Sequence, residues 1–284
     1  MPVTEVAPSG KPGLNLRPGP FLKVAASRLD VASRRGFPVT VAWLLAGAFF
    51  VGFFSVAEGM VQPLAVALDR AATAFSSSIA SPALTNVMWV VTLFGDTRVA
   101  VVATLVAAIL LAVWGHPRRA GSVVILMLTG TALAQIVKLL VERPRPPASL
   151  ALIALPVSMS FPSGHAMAGI VLAGTLALML VASRAPRIVR IVGSVAIVVA
   201  GMLLGLSRVY LGVHYFSDVI ASWCLGATLV GLWAAAVLTW GRAVPLDAAE
   251  PPRRGGWWRW TVTVAGPLIV VLALVTESGS MPLR

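Results

Sequence analysis

Cysteine is nearly absent from this chain. Cys224 is the only one of 284 residues. An internal disulfide framework and a cysteine-built metal site are therefore excluded. Charge is scarce as well. Only 11% of residues are Asp, Glu, Lys or Arg, against about 25% in an average soluble domain. There are 3 histidines and 10 carboxylates. So few ionisable groups, in so apolar a chain, are expected where chemistry needs them.

What is there is apolar sequence. Hydrophobic residues make up 58% of the chain, which excludes disordered and collagen-like classes. Apolar runs recur at 39–57, 99–114, 122–141, 166–182, 191–206, 219–240 and 260–276. A membrane-spanning helix needs about 20 such residues, and flanking Gly, Ser and Thr extend the shorter runs. Seven spans are predicted, in an all-α polytopic bundle. The segments 63–68 and 84–93 are too short to cross and read as interfacial or re-entrant helix. Residues 1–38 are basic and rich in Pro and Gly, which predicts a disordered tail. No apolar core follows its first basic residues closely, so it is not a usual secretory signal. Residues 241–284 are read as a basic loop followed by the seventh span.

The net charge of +12 suggests a nucleic-acid partner until the cations are placed. With the N-terminus inside, fifteen of the 22 Lys and Arg fall at inner span ends and seven outside. This is the asymmetry of the positive-inside rule. It predicts a cytoplasmic N-terminus and no nucleic-acid partner.

Three outer clusters stand out. In the first, Lys138 lies in the last turns of the third span and Arg145-Pro146 follows it. The prolines 144, 146 and 147 stop the helix. In the second, Pro162-Ser163-Gly164-His165 precedes the fourth span. Ser163 is a natural N-cap, Gly164 admits close approach of an anion, and a helix N-terminus suits phosphate. The third runs from Ser207-Arg208 to His214 and Asp218, between spans five and six. His214 and Asp218 are four apart and share a face if helical. A carboxylate there fixes one imidazole nitrogen as N–H and frees the other. Span counting puts all three clusters on one side of the membrane. Glu142 and Arg143 read as local loop charges, and Asp96 with Arg98 as a turn opening the second span.

The three clusters resemble the signature of the type 2 phosphatidic acid phosphatase (PAP2) superfamily: Lys-x6-Arg-Pro, Pro-Ser-Gly-His and Ser-Arg-x5-His-x3-Asp. All 11 fixed positions match, in order. The resemblance covers roughly residues 39–240 and implies a six-helix membrane core, with the seventh span outside it. It implies a lipid phosphatase without metal or cofactor. His214 would be the nucleophile, forming a phosphohistidine, with Asp218 orienting it and His165 as general acid and base. Lys138, Arg145, Ser163, Gly164, Ser207 and Arg208 would bind phosphate. The implied substrate is a membrane lipid phosphate, with polyprenyl pyrophosphate such as undecaprenyl pyrophosphate ahead of phosphatidic acid and phosphatidylglycerol phosphate. The expected location is the plasma membrane, with the site extracytoplasmic. A transporter or lipid-binding protein is the competing class; against it stand the absence of a clear internal repeat and the intact His214, Asp218 and His165.

Overall fold

A computed structural model describes residues 36–240. The basic tail lies outside the described residues except for 36–38, which open the first helix rather than ending a tail. The basic loop and the seventh apolar run also lie outside them. Among the described residues the chain is helical throughout: α1 (Gly36–Gly59), α2 (Pro63–Ser78), α3 (Pro82–Leu93), α4 (Thr97–Val113), α5 (Pro117–Val141), α6 (Gly164–Val181), α7 (Arg187–Tyr210) and α8 (Phe216–Trp240), with one 3-10 turn at Ala148–Leu150.

The boundaries follow from local chemistry. Pro63, Pro82 and Pro117 sit in the first turn of α2, α3 and α5, where the missing N–H costs nothing. Asp96 caps α4 by accepting from the Arg98 N–H at 2.9 Å. Glu142 ends α5 in a left-handed conformation at φ 49°, and the prolines that follow forbid another turn.

Five helices, α1, α5, α6, α7 and α8, are long and apolar enough to cross a membrane. A 24-residue helix such as α1 is about 36 Å long, enough for a hydrocarbon core of about 30 Å. The helices α3 and α4 pass the same test only as a pair, bent by 55° at their break. The expected second span at 99–114 is α4, 17 residues that pass the test only together with α3, and the segment 84–93 expected as interfacial or re-entrant is the first half of that pair. The described residues hold five to six candidate spans, six when that pair is counted as one broken span.

Core and surface are both apolar. Phe53, Leu126, Met127, Phe161, Met167, Val171 and Leu225 are buried together, while Leu44, Phe50, Ile125, Leu128 and Val195 stand exposed, as lipid-facing residues should. Between such helices hydrophobicity offers no driving force, so small residues set the approach. A Cβ on Gly201 would lie 2.6 Å from Ala173 Cβ and 2.7 Å from Gly169 O. The close α6–α7 contact therefore requires glycine at that position.

The antiparallel run of α5 to α8 decides where the chemistry falls. The C-terminal ends of α5 and α7 meet the N-terminal ends of α6 and α8. The loop after α5 closes on itself through Ser160 N donating to Arg143 O at 2.9 Å, and is knitted onto the end of α7 and the start of α8 by Leu152 N donating to Leu211 O at 3.0 Å and Ser163 N to Asp218 O at 3.4 Å. Gly212, at φ +71°, lies so close to Leu150 that a Cβ would sit 2.1 Å from its carbonyl oxygen.

Candidate active site

At this end of the bundle lies a cavity of about 770 Å³. Lys138, Arg145, Gly164, His165, Arg208 and His214 line it, together with Thr92, Gly95 and Asp96 from the α3–α4 break. It continues between α4 and α5 past Val101, Leu105, Val124 and Leu128. One end is cationic and the other apolar.

The cations are deeply set. Lys138 is 5% exposed and Arg208 4%. Among the described residues, none of Lys138, Arg145 and Arg208 forms a salt bridge. Each is held by neutral acceptors. Lys138 Nζ donates to Met159 O. Arg145 donates to Ser158 O at 2.7 Å, Val213 O at 2.7 Å and Ser158 Oγ at 3.1 Å. Arg208 Nη1 donates to Thr92 Oγ1 at 2.9 Å, and its buried Nε has no partner among the described residues. Burying charge without compensation is costly. Two buried cations and the half-buried Arg145 thus face one cavity, and an unpaired guanidinium N–H suits an anionic oxygen.

His214 is 3% exposed. Its Nε2 lies 3.1 Å from Arg145 Nη1. Arginine can only donate, so Nε2 is the unprotonated nitrogen and Nδ1 carries the proton. Nδ1 lies 3.3 Å from Asp218 Oδ2, the acceptor this tautomer requires. Asp218 is fully buried and accepts further from Ser160 Oγ and, at 3.0 Å, from Tyr215 N. His214 stands in the turn before α8 and Asp218 in its first turn, so the pair forms by the chain wrapping the helix start, not across a helix face. Likewise Ser207 and Arg208 belong to the last turn of α7 rather than to a loop. His165 opens α6, with Gly95 against its ring: a Cβ there would be 2.7 Å from His165 Cδ2.

Burial pushes the His214 pKa down to about 4, against the opposing pull of Asp218. Between pH 6.5 and 4 the unfolded chain therefore takes a proton that the folded one refuses, so this histidine's contribution to stability falls as the pH drops through that window. Ring-carbon NMR of the 3 histidines in detergent should show one, missing in His214→Asn, still neutral at pH 5. A His214 ring titrating near pH 6.5 would contradict the burial.

Two of the expected phosphate ligands have other partners. Ser207 Oγ donates to Leu204 O at 2.8 Å, and Ser163 Oγ accepts from Ala166 N at 3.5 Å as the α6 cap. Neither lines the cavity. Ser160 is new: no motif position marks it. Arg143 is not a free loop charge. Its guanidinium bridges Asp69 on α2 and Asp218 on α8.

Among the described residues no group of three or more His, Cys, Asp or Glu is placed to hold a metal ion. Taken together, a bundle of apolar helices encloses a cationic pocket with two histidines at one end. Residues 119–242 match the family described as the PAP2 superfamily. Phosphatidylglycerophosphatase B of Bacillus subtilis is 30% identical over 185 residues, 62% of this chain and 87% of that protein. An undecaprenyl-diphosphatase of Sulfolobus acidocaldarius is 42% identical over 72 residues, 25% of this chain and 31% of that one. The crystal structure of a transmembrane PAP2-type phosphatidylglycerolphosphate phosphatase from Bacillus subtilis superposes with a TM-score of 0.60 at 26% identity, covering 66% of this chain and 92% of its own. The chain belongs to the PAP2 superfamily and is a phosphoric ester hydrolase of the membrane.

Proposed function

We propose that the protein removes a phosphoryl group from a membrane lipid phosphate through a phosphohistidine at His214. The observation that carries this reading is the convergence of Lys138, Arg145 and Arg208, none of them salt-bridged, on a cavity that also presents His214 and His165. The three cations neutralise charge on the transferring phosphoryl group. His214 Nε2 attacks phosphorus, forming an N–P bond as the P–O bond to the lipid breaks. His165 gives its proton to the departing oxygen. Water then attacks phosphorus, His165 takes its proton, the N–P bond breaks and phosphate leaves. Asp218 holds the Nδ1 proton throughout and offsets the positive charge of the phosphorylated ring. Lys138 binds phosphate oxygens as a point charge and Arg208 through its unpartnered Nε, Arg145 adds its charge beside His214 Nε2, and the Gly164 N–H at the α6 terminus is a further donor.

The apolar continuation between α4 and α5 supports a lipid substrate, since a tail can lie there while the headgroup meets the cations. Phosphatidylglycerol phosphate leads as substrate, because the relative bearing that activity in its name matches along 87% of its length. A polyprenyl pyrophosphate is the second reading, favoured by the shorter and more identical match. The cation asymmetry supports a cytoplasmic N-terminus and an extracytoplasmic site at the plasma membrane.

Phosphate release by the purified protein from phosphatidylglycerol phosphate, phosphatidic acid and undecaprenyl pyrophosphate tests this. Turnover of one or more of these lipids, unchanged by EDTA, is expected. No release from any, or strict dependence on added Mg²⁺, would refute the reading.

A further inference from the structure

Asp69 has no place in the chemistry above, yet it is a carboxylate at 5% exposure. It sits on α2, an amphiphilic helix that precedes the bent pair. Both of its oxygens are engaged. Oδ1 accepts from Ser217 N at 2.8 Å, and Oδ2 from Ser217 Oγ at 2.7 Å and Arg143 Nη2 at 2.9 Å. Arg143 Nη1 in turn donates to Ser217 Oγ at 2.7 Å and to Asp218 Oδ1. The guanidinium lies over the Tyr215 ring, 4.2 Å from its centroid. So α2, the loop after α5 and the start of α8 meet in one ionic chain, Asp69–Arg143–Asp218, whose free end is His214.

Charge decides what this arrangement does. Arg143 paired with Asp218 alone would cancel its carboxylate. The imidazolium, or the phosphorylated ring, would then face no net charge. Asp69 supplies the second carboxylate, so the trio keeps one negative charge and Asp218 presents it to Nδ1. The hydrogen bonds do a second thing. Ser217 and Asp218 are adjacent, and Asp69 pins the first while Arg143 pins both, which fixes the turn that aims His214.

We propose that Asp69 is a positioning residue: through Arg143 it keeps the Asp218 charge available to His214 and fixes the turn carrying both. This rests on His214 being the nucleophile.

The test uses the full chain in detergent, with dioctanoyl phosphatidic acid as substrate and inorganic phosphate as inhibitor. Asp69→Asn keeps the shape and removes the charge. It should lower kcat about 10-fold or more while KM and the phosphate Ki stay within about twofold, the pattern of an interaction made in the transition state. The double variant Asp69→Asn with Arg143→Gln again leaves Asp218 as the one charge. It should be more active than Asp69→Asn alone, a non-additivity that a merely structural pair would not give for kcat at constant Ki. Wild-type kcat in folded Asp69→Asn would overturn the proposal, as would a double variant no better than the single. If Asp69→Asn does not fold, Asp69→Glu is assayed instead: it keeps the charge and displaces the turn that Asp69 pins, so kcat should fall while KM and the phosphate Ki stay within about twofold, and wild-type kcat would overturn the proposal. His214→Ala is assayed alongside. Activity in that variant sinks the nucleophile itself, whereas wild-type Asp69→Asn beside an inert His214→Ala sinks only the role of Asp69.

Discussion

His214→Ala should lower phosphate release by at least about 10³-fold, a barrier increase of about 4 kcal/mol. On the proposed mechanism the side chain supplies the attacking atom, and the other imidazole lining the cavity, His165, is assigned to proton transfer. Lys138 and Gly164 line it too, but an ammonium and a backbone N–H have no lone pair to give, and Asp96 caps α4. Residual turnover would come from water attacking a phosphate still held by three cations, as in other sites that lose a nucleophile but keep their electrostatics. Phosphate binding should survive for the same reason. The variant should therefore bind inorganic phosphate within a few-fold of wild type, by calorimetry or protection from unfolding, while failing to turn over. Wild-type rates in His214→Ala would remove the covalent mechanism.

Arg208→Met should have the next largest effect, with opposite signs on activity and stability. Arg208 is 4% exposed, bonded through one nitrogen to Thr92 Oγ1, and has an unpartnered Nε. Arg145 nearby adds like-charge repulsion. The unliganded folded protein thus bears the cost of a buried cation without a salt bridge, which on the proposed mechanism a phosphate offsets. Removing it should cut kcat/KM by about 10²–10³-fold, the range seen when a preorganised donor to transition-state charge is lost. The same substitution should raise the melting temperature of the unliganded protein. It should also abolish stabilisation by added phosphate, since a ligand stabilises only what it binds. Arg208→Lys keeps a charge but not the planar fork, and should fall between wild type and Arg208→Met in kcat/KM. A melting temperature that falls in Arg208→Met, with phosphate stabilisation intact, would mean that Arg208 is a structural residue and not a phosphate ligand.

The sequence made the cavity-facing residues legible because their spacing is short and their chemistry rare. Lys138, Arg145, His165, Arg208 and His214 all converge on the cavity, as hydropathy and span counting predict when they put three clusters at one end of one bundle. Other parts had no local signal. Two Arg-Pro pairs stand side by side after α5, and only the fold separates Arg145, which faces the cavity, from Arg143, which turns to Asp69 and Asp218. The Asp69–Ser217 contact joins residues 148 positions apart, beyond any periodicity. Met159 and Val213 hold Lys138 and Arg145 through backbone carbonyls, which every residue possesses. Ser207 shows the converse. Its place in the motif is plain, yet its hydroxyl is buried and bonds back to its own helix at Leu204 O.

The fold was legible to the same extent and for a similar reason. Long apolar runs announce α1 and α5 to α8 by length alone. The bent α3–α4 pair does not reach span length in either half, and its joining depends on the Asp96 cap and the glycine before it, where a side chain would strike His165. The break in that span and the shape of the site are thus one feature: Gly95 is small because the imidazole lies against it.

The claim that organises the rest is a covalent bond between phosphorus and His214. Rapid quenching of a single turnover, with lipid labelled by ³²P in the transferable phosphoryl group, tests it most directly. The label should appear on the protein before free phosphate, stable in alkali and lost in acid as a phosphoramidate is, and it should map to the peptide carrying His214. It should build up further in His165→Ala, which slows the water attack. Free phosphate released at full rate with no protein-bound label at any time point, or label on a different residue, would contradict the account.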